Sequence, residues 1–248
     1  MVLPHLANLS AIYAMMALIG LLSPILLYRL WRQSRHQYQG LGLMFHHAVA
    51  GFVGVSLLAS RETLPKFFAI TTGSACVCLG AMLGLWGVQR ILGQRPSYRR
   101  DSVLLVGAFL AHALLLLSDP GRPARIVITL SILAFFYGRT AFVLFFKVEG
   151  HVRPVAAFSA WVASVVVSLS LVRLGFNLAS FATVNLYQIP VTEAVITILI
   201  QVGITAFDFS LILLVAGLSV LSLRQREEAL AAERDALKKA LSENRALR

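Results

Sequence analysis

The sequence predicts an all-α polytopic membrane protein: a seven-transmembrane-helix bundle followed by a cytoplasmic C-terminal coiled-coil helix. Three observations carry that expectation. Of 248 residues, 58% are hydrophobic and 13% charged, where an ordinary soluble domain carries roughly 25% charged residues. The apolar residues gather in about seven runs, each near the roughly 20 residues that cross a hydrocarbon core of about 30 Å. Near Leu221 the composition then changes abruptly to Ala, Glu, Leu, Lys and Arg.

The runs fall near Leu9 to Leu30, Leu41 to Ser60, Phe67 to Leu92, Ser102 to Ser118, Ile126 to Phe146, Val155 to Val172 and Val195 to Leu221. Turn-forming and charged segments separate them: Arg32 to Gly40, Arg61 to Lys66 with Pro65, Gly93 to Asp101 with Pro96, Asp119 to Arg125 with Pro120 and Pro123, Lys147 to Pro154, and Gly175 to Glu193. Residues 1–222 thus form a membrane domain and 223–248 a linker helix.

With 22 Lys and Arg against 11 Asp and Glu the net charge is +11. The cations cluster between apolar runs, which is a topology signal and not a nucleic-acid-binding one. Arg29, Arg32, Arg35, Arg90, Arg95, Arg99, Arg100, Lys147 and Arg153 follow the odd-numbered spans, while Arg61, Lys66, Arg122, Arg125 and Arg173 follow the even-numbered ones. Positive charge is retained inside, so the N-terminus is expected outside and the C-terminus in the cytoplasm. No cation precedes the first span, which argues for a membrane anchor over a cleaved signal. Cys76 and Cys78 share one span on different helix faces, so the sequence supports neither a disulfide framework nor a metal site.

From Arg224 to Arg248 no Gly or Pro interrupts a helix. Leu223, Leu230 and Leu237 recur every seven residues, with Asn244 at the next such position and Ala240 and Leu247 at d-type positions. Arg226 and Glu233 also fall at the seam and weaken it. The pattern describes a marginal two-stranded coiled coil, hence a homodimer. One favourable pair, Asp235 to Lys239, adds only about 0.2–0.5 kcal/mol. Leu247 is followed by no stop signal, so the chain is expected to be a fragment of a longer signalling protein.

The outside N-terminus, seven spans, short loops and cytoplasmic linker helix resemble the sensor region of bacterial membrane-bound signalling proteins, chiefly diguanylate cyclases of GGDEF type and some histidine kinases. Gly87 to Pro96, reading GVQRILGQRP, looks like the end of the third span in such sensors; Leu64-Pro65 and Arg125-Ile126 are also similar. The output motif of that family is absent from this chain. The resemblance implies a non-catalytic input module in the bacterial inner membrane that governs a dimeric cytoplasmic output, cyclic di-GMP synthesis first and phosphotransfer next.

Ionisable groups inside a span are functional candidates. Arg139 and Asp208 each lie about 13 residues, roughly 20 Å, from the outer ends of spans five and seven. They are expected to face the bundle interior and either pair with each other or bind a ligand group and an ion, with Tyr137, Gln201 and His112 as supplementary ligand-binding candidates. His46, His47 and His112 raise bis-imidazole haem ligation. However, His46 and His47 lie roughly 8 Å from the inner edge and His112 roughly 15 Å, a mismatch that disfavours haem. Retinal is disfavoured because the last span contains no lysine for a Schiff base and Lys147 lies at the inner end of span five. No cofactor or metal is expected. Gly80, Gly84 and Gly87 in span three, and Ala156, Ser159, Ala160, Ala163, Ser164 and Ser168 in span six, read as close-packing faces. The segment Gly175 to Glu193 is the candidate lid or interfacial helix.

The function expected is a sensor that binds a small hydrophobic, amphipathic or lipid-like signal within the membrane and alters helix seven. A small transporter is the competing reading, disfavoured by the absence of an internal repeat and by the coiled-coil tail. A membrane enzyme would need a clustered acid/base or metal constellation that the sequence does not display.

Overall fold

The computed structural model describes residues 7–34, 38–60, 63–117, 122–148, 150–182 and 189–246. They form α1 (Ala7–Ser34), α2 (Leu41–Ala59), α3 (Lys66–Ile91), α4 (Tyr98–Leu117), α5 (Arg122–Phe146), a 3-10 turn (Gly150–Val152), α6 (Arg153–Ala182) and α7 (Ile189–Ala246). Among the described residues, five stretches are long and apolar enough to cross a membrane: Leu41–Ala59, Phe67–Ile91, Ala124–Phe146, Arg153–Leu178 and Val195–Lys238.

The helices are apolar on both faces. Leu18 and Leu22 on α1, Val103 and Leu114 on α4, Trp161 on α6 and Val202 on α7 are more than half exposed, while Leu27, Leu85, Phe136, Leu144, Phe207 and Leu211 are buried within the bundle. A soluble helix turns its polar face outward; an apolar outer face is matched to lipid.

Consecutive helices pack as neighbours, most extensively α2 on α3 and α5 on α6. α1 returns to α7 and α3 also packs on α5, so α4 flanks the α3–α5 contact. Two helix ends differ from the sequence expectation. α6 continues through Ala182 and α7 begins at Ile189, so Gly175 to Glu193 is not one long loop. A single Gly does not stop a helix, and Pro190 sits in the first turn of α7, where its missing N–H removes no helix hydrogen bond. α4 begins at Tyr98 and takes Asp101 into its first turn.

Glycine sets the closeness of α2 and α3. A Cβ on Gly54 would lie 2.8 Å from the Gly73 carbonyl oxygen, and one on Gly40 would overlap the Gly87 carbonyl oxygen. In lipid such backbone approach is the main source of helix–helix attraction. Gly40→Ala is therefore expected to destabilise the bundle by about 1–3 kcal/mol, read as a lowered thermal midpoint in detergent. Gly107→Ala, on an exposed position where an added methyl meets nothing within 4 Å, is expected to leave the midpoint unchanged or raise it.

Candidate functional site

Two buried polar networks tie the helices together. The first is built by the α3–α4 corner. α3 ends in a Schellman motif: Gly93 adopts φ 70°, its N–H donates to Arg90 O at 3.1 Å, and Gln94 N–H donates to Gln89 O at 2.8 Å. Only a residue free of Cβ strain takes that conformation readily. The sharp reversal lays the first turn of α4 against the last turns of α3, so the Tyr98 ring meets Trp86 edge-on at 4.7 Å. Arg90 Nε donates to Tyr98 Oη at 2.9 Å, and Arg90 Nη1 reaches Gln39 Oε1 at 3.4 Å.

Asp101 is the centre of this network and is fully buried. Its Oδ2 accepts from Trp86 Nε1 at 2.9 Å and its Oδ1 from Arg139 Nη1 at 2.5 Å. Its place in the first turn of α4 adds the positive end of the helix dipole. Arg139 also lies over the Phe135 ring, 5.6 Å from its centroid. One carboxylate thus joins α3, α4 and α5.

The second network lies in the bundle interior. His47 Nε2 and Asp208 Oδ1 are 2.8 Å apart, and His47 Nδ1 lies 2.7 Å from Gly80 O. Both ring nitrogens are committed, so one imidazole binds α2 to α3 and α7. Gly80 and Gly84 make room for it: a Cβ on Gly84 would stand 3.2 Å from the His47 ring. Phe207 meets the His47 ring edge-on at 6.2 Å and the Tyr137 ring at 5.3 Å. The glycine spacing in α3 therefore serves a specific side chain as well as close packing.

Asp208 is buried in the interior and the Arg139 side chain is 26% exposed, and each has a different protein partner, His47 and Asp101. They do not pair with each other. Tyr137 points at Phe207 of α7, and a residue two positions on lies about 200° round the helix, which turns Arg139 towards α4. Gln201 is half-buried two turns before Asp208 on α7, and Tyr137 is buried near Asp208. His46 lies on the exposed side of α2 with Nδ1 2.6 Å from Gly42 O. His112 is apart from both networks. It is buried, its Nε2 and the Thr71 hydroxyl lack hydrogen-bond partners among the described residues, and both border a void of about 20 Å³ between α3, α4 and α5. That space holds one water-sized group and no organic ligand.

Asp101, Trp86 and Tyr98 were not singled out by sequence reasoning, because Asp101 reads as loop punctuation beside Arg99 and Arg100. Its available signal was that no acid precedes it between Lys66 and Arg100, leaving it the nearest countercharge to the α3 and α4 cations. Among the described residues no three His, Cys, Asp or Glu side chains form a group suited to a metal ion. Cys76 and Cys78 are free thiols.

α7 continues beyond the bundle without a break to Ala246. Leu223, Leu230 and Leu237 are 58%, 64% and 60% exposed, so none is buried by the bundle. Asp235 meets Lys238 at 4.0 Å on the exposed surface, a contact worth about 0–1 kcal/mol. Asn244 lies within α7, its side chain outside the described ones; Leu247 lies outside the described residues. Comparison with protein families, characterised proteins and solved structures gives no match.

Proposed function

We propose that this chain is a membrane sensory input module, with α1 and α4 completing seven spans, that passes an amphipathic or hydrophobic signal through α7 to a dimeric cytoplasmic output. The observation that carries the reading is the continuity of α7: Asp208 is held in the interior by His47, and the same helix presents three solvent-exposed leucines at heptad spacing. A row of exposed leucines on a water-facing helix is stabilised by burial against a second copy. A continuous helix transmits a shift or rotation at one end to the other. The resemblance to sensor regions of diguanylate cyclases supports cyclic di-GMP synthesis as the output, with a histidine kinase as the alternative, and the cation distribution supports a cytoplasmic tail in a bacterial inner membrane.

Native mass spectrometry of the detergent-purified chain tests the dimer. The expected result is a dimer mass for the native sequence and a monomer mass for Leu230→Glu, with equal membrane insertion of both. A monomer mass for the native chain would overturn the reading.

A further inference from the structure

A groove of about 710 Å³ runs between α1 and α2 on the outside of the bundle. Its two ends differ chemically. Leu21, Ile25 and Phe52 line one end, and Arg29, Arg32 and Gln33 line the other. The boundary is marked by an aromatic cluster in which Trp31 stacks on Phe45 at 5.7 Å with an interplanar angle of 6° and Tyr28 packs on Phe45 at 5.5 Å. Trp and Tyr concentrate at the level of lipid headgroups, which places the two arginines at that level and the apolar end in the hydrocarbon.

The dimensions and charge fit one occupant. From Leu21 to Gln33 the helix rises roughly 18 Å, the depth of one leaflet of a core about 30 Å thick together with part of its headgroup layer. No Asp or Glu precedes Glu62, and α3 contains none, so neither α1, α2 nor α3 supplies a countercharge. Neither Arg29 nor Arg32 has an acidic partner among the described residues. Guanidinium groups bind phosphate oxygens through paired, charge-assisted hydrogen bonds. From these features we infer that the α1–α2 groove is a binding site for an anionic phospholipid, its acyl chain along Leu21, Ile25 and Phe52 and its phosphate at Arg29 and Arg32. The site rests on the membrane-spanning reading of α1 and is independent of dimerisation through α7.

The test is lipid titration of the purified full chain, read by native mass spectrometry, with phosphatidylglycerol, phosphatidylcholine and inorganic phosphate as probes. Phosphatidylglycerol is expected to bind about tenfold more tightly than phosphatidylcholine. Arg29→Gln with Arg32→Gln should abolish that preference, since the two cations supply the attraction to the anionic headgroup. Arg99→Gln with Arg100→Gln, exposed on α4, should retain it. Ile25→Trp, which fills the apolar end, should weaken phosphatidylglycerol binding severalfold. Equal binding of the two lipids, an unchanged preference in the Arg29/Arg32 variant, or displacement of the lipid by millimolar inorganic phosphate would overturn the proposal. Loss of the dimer mass on Ile25→Trp would also overturn it, by assigning the groove to a second copy. The same spectra report the dimer separately, so a failed α7 interface with intact lipid selectivity is distinguishable.

Discussion

Arg139→Ala is expected to be among the most destabilising single substitutions in the bundle, costing about 3–5 kcal/mol because it strands a buried charge. The side chain of Asp101 is 0% exposed and that of Arg139 26%. Removing the arginine leaves a carboxylate with Trp86 Nε1 as its remaining side-chain donor. Removing the carboxylate in Asp101→Ala leaves a guanidinium that reaches solvent or headgroups along its flexible stem and keeps its contact with Phe135. The two halves of one ion pair should therefore differ, with Arg139→Ala the worse. Thermal or denaturant unfolding in a fixed detergent reads the order. Replacing both partners with neutral residues, Asp101→Asn with Arg139→Gln, should recover part of the loss, since no uncompensated charge remains.

Asp208→Ala carries the second large effect. It removes the acceptor of His47 Nε2 at 2.8 Å and leaves a buried polar ring with one partner, Gly80 O, at a cost of about 1–3 kcal/mol. His47→Ala should cost more, since it strands the buried Asp208 carboxylate, and the double variant should cost less than the sum of the two single ones, as for any two groups that share one interaction. Arg139→Ala and Asp208→Ala lie in different networks, so their effects should add within about 0.3–0.5 kcal/mol. A strong coupling between them would mean that the two residues meet in the membrane-embedded protein.

The helices were legible in the sequence because bilayer thickness and turn chemistry both mark their ends: Pro65, Gly93 and Pro96 punctuate the chain where α3 begins and where α3 gives way to α4. That Arg139 and Asp208 would need polar partners was legible for the same reason, since an unpaired charge in an apolar run is costly. Their partners were not. Depths counted from the outer ends matched, but the expected spans differ in length, and the face of a helix that a residue takes is fixed by its neighbours. Tyr137 against Phe207 decides it for α5. His47 read as a haem candidate because the sequence displays a His-His pair; only the fold shows that one ring points inward to Asp208 and the other outward. Asp101 was hidden by two adjoining arginines that made it look like a loop residue. The groove between α1 and α2 was illegible, because it exists only where Tyr28, Trp31 and Phe45 meet.

In the proposed sensor, the interior tie at Asp208 and the exposed leucine at position 230 are two ends of one mechanical element, α7. Disulfide crosslinking between copies carrying Leu230→Cys in native membranes, with Cys76 and Cys78 replaced by Ser, reads this coupling as a rate, compared in the presence and absence of Asp208→Asn. Efficient crosslinking is expected with Asp208 intact, and a severalfold change in rate when its tie to His47 is lost, at equal protein abundance. An identical rate in the two backgrounds would contradict it.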